Sequence, residues 1–207
     1  MQDAPLIGVV LAAGDGSRMG GPKALLRLGG TLLAVEHARR LRASGCRRVV
    51  VVVSPPARAI VAEALAGDGL VDVVAATTSS QAESLAVALA LLDEHGARPL
   101  VVVTPVDLLP AEATTIDRLV AAIRSSRGAL DAATPTFGGR GGHPVVARLG
   151  VLRDDGVDPA RPLRDRLRAL DRRRARIAVD DPAVTGDFDV PDDLPVRRLG
   201  VGARGAG

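Results

Sequence analysis

Residues 6–26 combine an apolar run with a glycine-rich basic loop. Leu6 to Ala13 are apolar and rich in β-branched residues, which is typical of a buried strand. The run ends at Gly14, the first of four glycines in a loop that also carries Arg18 and Lys23. Glycines let backbone N–H groups approach an anion without Cβ hindrance, and the two cations supply charge for phosphate oxygens. The stretch therefore predicts a loop that binds polyphosphate.

Two common phosphate loops do not fit the spacing of this stretch. A Walker loop requires G-x-x-x-x-G-K-[ST], but Pro22 separates Gly21 from Lys23, and an alanine follows instead of a hydroxyl. A dinucleotide fingerprint requires G-x-G-x-x-G that opens directly into a helix. Here the third glycine comes one residue too late, and Gly21-Pro22 blocks immediate helical continuation. Both interpretations are therefore excluded.

A carboxylate at the end of another apolar run is the second candidate for chemistry. Pro99 to Thr104 predict a buried strand, which leads directly into Pro105-Val106-Asp107. Open α/β sheets place catalytic ligands just past the carboxyl ends of strands. The alternative from the residues alone is that Asp107 makes a turn or caps the helix predicted to begin near Ala111.

The elements that must position these residues alternate between strand and helix. Strands are predicted at 6–13, 49–53, 70–75, 99–104, 129–134, 143–148 and 177–179, and helices at 31–44, 57–65, 80–95, from 111 and at 161–170. The alternation predicts an α/β fold with one doubly wound, mostly parallel sheet of about seven strands and helices on both faces. If the first four strands take the order 3-2-1-4, the glycine-rich loop and Asp107 flank the crevice where the order reverses.

Composition limits the class of protein. The 207 residues are 47% hydrophobic, so the chain can bury a sizeable core, and we expect one domain over residues 1–194. Residues 195–207 form a Gly/Arg-rich tail that we expect to be disordered. Aromatic residues make up only 1%, and the formal charge is +3 with no sustained basic block, so we expect no nucleic-acid partner.

The single cysteine and the N-terminal residues indicate the compartment. Cys46 has no partner for an intrachain disulfide, which suits a reducing environment. No apolar segment reaches the roughly 18 residues of a membrane helix, and residues 1–5 lack a basic signal-peptide region. We therefore expect a cytoplasmic protein without a membrane partner.

The N-terminal stretch also carries a specific resemblance. As L-A-A-G-x-G-x-R-M-G-x-x-K it resembles the signature of the MobA/MocA-like nucleotidyltransferases, the molybdenum cofactor cytidylyl- and guanylyltransferases among them. The resemblance spans roughly Leu6 to Leu194 and implies the Rossmann-like nucleotide-diphospho transferase fold. It implies catalytic roles for Arg18, Lys23 and Asp107. The nucleotide would be bound by Leu11, Ala12, Ala13, Gly14, Gly16, Ser17, Arg18, Met19, Gly20 and Lys23.

The same resemblance implies a magnesium site. Relatives carry G-D-x-P or P-V-D-x-P where Asp107 stands, and they use this aspartate for Mg²⁺. The stretch from Asp187 to Leu194 resembles the family ending D-I-D-T-P-E-D-L, in which an acidic residue joins the metal. Asp187 and Asp189 share the alternation of an extended segment, so both are candidate ligands.

Two further regions are candidates for substrate contacts. Ser80-Gln81-Ala82-Glu83 is a capping-box pattern, and Ser84-Leu85 matches a family helix that contacts the base, so Gln81 and Ser84 are candidates for the nucleotide. Capping or packing is the equal alternative for both. Residues 142–145, G-H-P-V, resemble a family strand on the acceptor side, which makes His143 a candidate for acceptor binding or else a strand-end histidine without a role.

The resemblance implies attack by an acceptor phosphate on the α-phosphorus of a nucleoside triphosphate, with release of pyrophosphate. Leu11 to Gly14 resemble the cytidylyl branch, whereas guanylyl relatives tend to carry L-A-G-G. We therefore expect a Mg²⁺-dependent cytidylyltransferase that acts on a molybdopterin-type acceptor, with a molybdoenzyme as the recipient of the product. Guanylyl transfer, a sugar-phosphate acceptor and a non-catalytic nucleotide-binding protein are the alternatives.

Overall fold

The computed structural model describes residues 4–16, 21–92, 99–153 and 161–186. Its strands are β1 (Leu6–Ala12), β2 (Arg27–Leu28), β3 (Thr31–Leu32), β4 (Arg48–Val53), β5 (Val71–Ala75), β6 (Leu100–Pro105), β7 (Ala132–Phe137), β8 (Arg140–Gly141), β9 (Val145–Arg148) and β10 (Arg174–Ala178). Its α-helices are α1 (Leu33–Ala43), α2 (Arg58–Leu65), α3 (Gln81–Ala90), α4 (Ala113–Ser125), α5 (Leu149–Leu152) and α6 (Leu163–Ala169).

Most of the strands form one twisted sheet in the order β10-β7-β9-β6-β1-β4-β5, with β8 paired to β7. The neighbours β6, β1, β4 and β5 run parallel. These are the first four predicted strands, and they take the order 3-2-1-4 that was assumed in placing the glycine-rich loop beside Asp107. The α/β class is likewise confirmed, with eight sheet strands in the described part of the chain against about seven predicted.

Alternating side chains build an apolar core on each face of the sheet. Val49, Val51 and Val53 of β4 pack with helices α1, α2 and α4 on one face. Val50 and Val52 point to the other face, where α3, α5 and α6 contribute buried leucines. Because both faces are covered, the unbroken valine run is fully buried, as expected for a central parallel strand.

The second half of the sheet departs from the simple parallel pattern. Strand β9 lies between β6 and β7 and runs antiparallel to both. Strand β7 begins at Ala132 rather than at residue 129, and β10 begins at Arg174 rather than at residue 177. The chain reverses direction there through short connections, so alternation of strands and helices alone did not predict this reversal.

Helix α1 begins two residues later than predicted. Thr31 and Leu32 pair with Arg27 and Leu28 in a small antiparallel hairpin, so their backbone groups are committed before the helix starts at Leu33. Helix α4 similarly begins at Ala113 rather than near Ala111, with Glu112 as its N-cap residue. None of the described helices is long and apolar enough to span a membrane.

Candidate functional site

A cleft of about 880 Å³ lies at the carboxyl ends of β1, β4, β5 and β6. It lies at the switch point where the strand order reverses, which is the place open α/β sheets use for ligands. Helix α3 and the described part of the glycine-rich loop both border it. Its lining residues are Leu11, Ala13, Gly14, Asp15, Gly16, Pro22, Lys23, Ser54, Pro55, Pro56, Ala76, Thr77, Thr78, Ser79, Ser80, Gln81, Ser84, Val106 and Asp107.

The glycine-rich loop closes on itself through its backbone. The Gly21 N–H donates to the Gly16 carbonyl at 3.3 Å, and the Lys23 N–H donates to the Gly14 carbonyl at 3.3 Å. Gly16 has a φ of +59°, and a Cβ built there would lie 1.9 Å from the Gly21 oxygen. Only glycine fits this position, because a side chain would force the loop open.

Lys23 and Asp107 face each other in the cleft. Lys23 Nζ lies 3.0 Å from Asp107 Oδ2, and both side chains are about one-fifth exposed, at 21% and 18%. The Val106 N–H donates to the Leu11 carbonyl at 3.0 Å, which joins the Asp107 segment to the end of β1. The structure thus brings together two residues that sequence analysis selected independently as candidates for chemistry.

A buried histidine contacts the backbone of the residue that follows Asp107. His37 of α1 is only 2% exposed, and its Nε2 lies 2.9 Å from the Leu108 carbonyl oxygen. Burial lowers the pKa of His37 to about 4, although the Leu108 backbone, the charge of Asp107 and the Val106 backbone act in the opposite direction. The ring is therefore neutral near pH 7. His37 was not among the candidate site residues predicted from the sequence.

A second buried side chain connects the C-terminal part of the described chain to the same region. Asp181 is 2% exposed, and its Oδ2 accepts hydrogen bonds from the Glu112 N–H and the Thr115 hydroxyl, each at 2.8 Å. Its Oδ1 accepts from the Ala183 N–H at 3.1 Å. The carboxylate thereby caps the start of α4 and fixes the 3-10 turn Pro182–Thr185 against it.

The predicted capping box at α3 is present in a shifted form. Ser80 Oγ accepts from the Glu83 N–H at 3.2 Å, while Glu83 accepts from both the N–H and the hydroxyl of Ser79 at 2.7 Å. These bonds lower the pKa of the Glu83 carboxyl. Ser84 is buried, and its hydroxyl lies 2.7 Å from the Thr78 hydroxyl and 3.1 Å from the Ser80 carbonyl. Gln81 and Ser84 both line the cleft, and their contact with a nucleotide stays a prediction.

Two predicted binding residues lie away from the cleft surface. Ala12 has no exposed surface, packs in the core that includes α1, and is not among the residues that line the cleft, so its contact with a nucleotide stays a prediction. His143 is not among the lining residues of the cleft. Its N–H donates to the Val184 carbonyl at 2.9 Å, and a Cβ on the neighbouring Gly142 would lie 1.6 Å from that oxygen. This segment therefore packs closely on the 3-10 turn, and the acceptor role of His143 stays a prediction.

Several predicted site residues and the predicted tail lie outside the described residues. The site residues are Ser17, Arg18, Met19, Gly20, Asp187 and Asp189, and the tail covers residues 195–207. Within the described ranges, no three His, Cys, Asp or Glu side chains are grouped so as to hold a metal ion. Asp107 is a described carboxylate in the cleft, and it suits Mg²⁺, which proteins commonly hold through one or two carboxylates together with substrate phosphates.

Part of the cleft wall was not predicted. Ser54, Pro55 and Pro56 follow β4, and Thr77 to Ser79 follow β5, so each segment reaches the cleft from the end of a parallel strand. None of these residues was among the candidates predicted from the sequence. Their position after the strands next to β1 was the available signal, because all these strand ends meet at one edge of the sheet.

A glycine-rich loop and a carboxylate at the switch point of an open α/β sheet define a nucleotide-binding enzyme of the phosphate-transferring class. Residues 8–183 match the MobA-like NTP transferase domain, and the chain belongs to this family. It is a nucleotidyltransferase, as the sequence predicts.

The chain is also similar to several individual proteins. The 2-C-methyl-D-erythritol 4-phosphate cytidylyltransferase of Frankia casuarinae is 34% identical over 206 residues, covering 91% of this chain and 70% of that protein. Nicotine blue oxidoreductase of Paenarthrobacter nicotinovorans is 45% identical over 64 residues, which are 30% of this chain and 31% of that protein. The structure of Rv0371c from Mycobacterium tuberculosis H37Rv in complex with manganese is 26% identical with a TM-score of 0.71, covering 91% of this chain and 95% of that one.

Proposed function

We propose that this protein is a Mg²⁺-dependent cytidylyltransferase that joins CMP from CTP to a phosphorylated small molecule and releases pyrophosphate. The observation that carries the proposal is the Lys23–Asp107 pair, which stands in the cleft at the switch point of the sheet. A lysine and a carboxylate side by side can bind a triphosphate together with its divalent metal ion. Asp107 would bind the metal ion, and Lys23, released from its ion pair, would bind the phosphates.

The chain's residues act by positioning and by charge. Backbone N–H groups of the loop around Gly14 and Gly16 approach the triphosphate, and Lys23 and Arg18 stabilise the charge that develops on the α-phosphate and on the departing pyrophosphate. Asp107, together with Asp187 or Asp189, would hold Mg²⁺. Neutralisation of triphosphate oxygens is the chemistry that this ion supplies when bound. An ionised acceptor phosphate needs no general base, so no Ser/His/Asp arrangement is required.

Two observations favour CTP over GTP. Leu11 to Gly14 carry the L-A-A-G form that resembles the cytidylyl branch, and Ala13 and Gly14 line the cleft. The relative from Frankia casuarinae is named a cytidylyltransferase. Guanylyl transfer is the alternative with the same mechanism.

The acceptor has two candidates. Resemblance of the N-terminal signature favours a molybdopterin-type cofactor, in which case a molybdoenzyme receives the product. Similarity to the Frankia enzyme favours 2-C-methyl-D-erythritol 4-phosphate, a sugar-like phosphate. Both present an ionised phosphate to the α-phosphorus, so the chemistry proposed for the chain is the same for either.

The test is pyrophosphate release with each of the four nucleoside triphosphates, with and without Mg²⁺ and with each acceptor in turn. We expect release with CTP, Mg²⁺ and one acceptor, and a loss of at least about 100-fold in the Asp107→Ala variant. A preference for GTP would overturn the choice of base but not the mechanism. No turnover in any combination, together with unchanged nucleotide binding by the variant, would favour a non-catalytic nucleotide-binding protein. The cytoplasmic location expected from the sequence stays a prediction.

A further inference from the structure

We propose that His37 is a positioning residue that holds the backbone beside Asp107 in the orientation the site requires. The inference rests on the proposed function, in which Asp107 binds the metal of the triphosphate. His37 would thus orient Asp107 in the cleft without contacting the substrate itself.

Hydrogen bonds from distant parts of the chain hold the backbone on both sides of Asp107. On one side, the Val106 N–H donates to the Leu11 carbonyl at 3.0 Å, which continues the pairing of β6 with β1. On the other side, the Leu108 carbonyl lies 2.9 Å from His37 Nε2, across 71 residues of sequence. Asp107 therefore sits between two anchored peptide groups, and the direction of its carboxylate toward Lys23 depends on both.

The bond to Leu108 defines the state of the imidazole ring. A carbonyl oxygen can only accept, so Nε2 carries the proton and donates it. Burial keeps the ring neutral, since it lowers the pKa of His37 to about 4. A neutral ring with a defined proton gives the bond one direction, which suits a fixed support.

The surroundings of His37 give the ring little freedom. It lies on α1, which packs on the sheet, and it lines a small space together with Arg40, Leu41, Thr104, Ala111, Ile116 and Pro144. Leu33, Ala34 and Val35 at the start of α1 are buried as well, so a shift of the helix would disrupt core packing. Packing of α1 therefore helps to fix the position of His37 relative to the segment that carries Asp107.

The experiment compares variants that differ in the donor and in its reach. His37→Leu removes the donor, His37→Gln places an amide donor near the position of Nε2, and His37→Asn has the same amide on a shorter side chain. Val35→Ala is the control, because Val35 is buried on the same helix but belongs only to the core. For each variant we would measure kcat and KM for CTP, Mn²⁺ binding by electron paramagnetic resonance, and hydrogen exchange of the 106–110 segment without ligand.

We expect His37→Leu to lower kcat and to weaken Mn²⁺ binding, each by about 10-fold or more, with little change in KM for CTP. Exchange of the 106–110 segment should become faster, and His37→Gln should restore all three properties more fully than His37→Asn. Val35→Ala should lower the melting temperature but leave kcat and exchange of this segment close to the parent. If His37→Leu does not fold, the comparison of His37→Gln with His37→Asn decides the same point.

Two results would overturn the role of His37. One is parental kcat, Mn²⁺ binding and exchange in His37→Leu or in His37→Asn. The other is a loss in Val35→Ala as large as that in the His37 variants, which would indicate core destabilisation alone. A parent that turns over no nucleotide contradicts the proposed function instead, and exchange of the 106–110 segment still tests the support that His37 gives.

Discussion

Lys23 Nζ lies 3.0 Å from Asp107 Oδ2 although 84 residues separate the two along the chain. The two strands that lead to them, β1 and β6, are parallel neighbours, so their carboxyl ends bring the loop and the carboxylate to the same place. The pair is partly exposed, and such ion pairs contribute only about 0–1 kcal/mol to stability. The position of this pair in the cleft therefore indicates a role in the reaction more than a role in the stability of the fold.

Removal of the charge on Lys23 or on Asp107 should lower activity strongly while the fold remains. We expect Lys23→Met and Asp107→Asn each to lower kcat/KM for pyrophosphate release by about 100-fold or more, because each removes a charge that faces the reacting phosphates. The melting temperature should change little in both. The control is Asp72→Asn. This substitution breaks an exposed ion pair away from the cleft, in which Arg48 Nε lies 2.6 Å from Asp72 Oδ2. Comparable losses of activity in this control would show that ion pairing in general, and not this pair, is what matters.

Two of the four glycines of the loop, Gly16 and Gly21, should differ sharply in their tolerance of a methyl group. Gly16→Ala combines a φ of +59° with a Cβ 1.9 Å from the Gly21 oxygen, so we expect the loop to open and CTP binding to weaken by about 10-fold or more. Among the described residues, none has an atom within 4 Å of a Cβ built on Gly21, apart from its chain neighbours, and Gly21→Ala should bind like the parent. Isothermal titration with CTP and Mg²⁺ checks both. Equal affinities in the two variants would contradict the role of the loop conformation.

Acid should destabilise the protein through His37. The pKa of His37 is about 4 in the folded protein, against an ordinary value of 6.5. As the pH falls below 6.5, the unfolded chain binds a proton at His37 that the folded protein does not. The contribution of His37 to the free energy of unfolding is therefore fully present above pH 6.5 and is lost as the pH falls toward 4. The loss approaches about 1.4 kcal/mol per pH unit. Urea unfolding of the parent and of His37→Gln from pH 7 to 5 should show a smaller slope in the variant, and equal slopes would contradict the prediction.

Loss of the Asp181 carboxylate should destabilise the fold strongly. Its three donors come from Glu112, Thr115 and Ala183, and the side chain is buried, so Asp181→Ala leaves them without an acceptor. We expect a loss of about 2–4 kcal/mol in the free energy of unfolding. The neighbouring Asp180 is exposed, and Asp180→Asn should change stability by less than about 0.5 kcal/mol. Denaturant titration compares the two, and a small effect of Asp181→Ala would show that water replaces the carboxylate.

Local patterns determined much of this protein without reference to the structure. The valine run of β4 and the apolar start of β1 predicted buried parallel strands, and their alternation with helices predicted the class of sheet, because buried parallel strands need covering on both faces. The order of the first four strands was an assumption that the structure meets. The glycine spacing excluded two other phosphate loops, since the required turns depend on glycines at defined positions. The motif at Leu11 to Lys23 indicated the family, which the match over residues 8–183 confirms.

Tertiary structure alone decided which residues meet. His37 has no motif around it, and its bond to the Leu108 carbonyl exists only because α1 packs beside the end of β6. Asp181 likewise finds its donors at the start of α4, and β9 enters the sheet antiparallel between β6 and β7. Sequence periodicity reports which face of an element is buried, whereas contacts between residues far apart in sequence depend on how those faces pack. The glycines after β1 therefore sufficed to predict the phosphate loop. The contact between Lys23 and Asp107 depends on the pairing of β1 with β6 in the sheet.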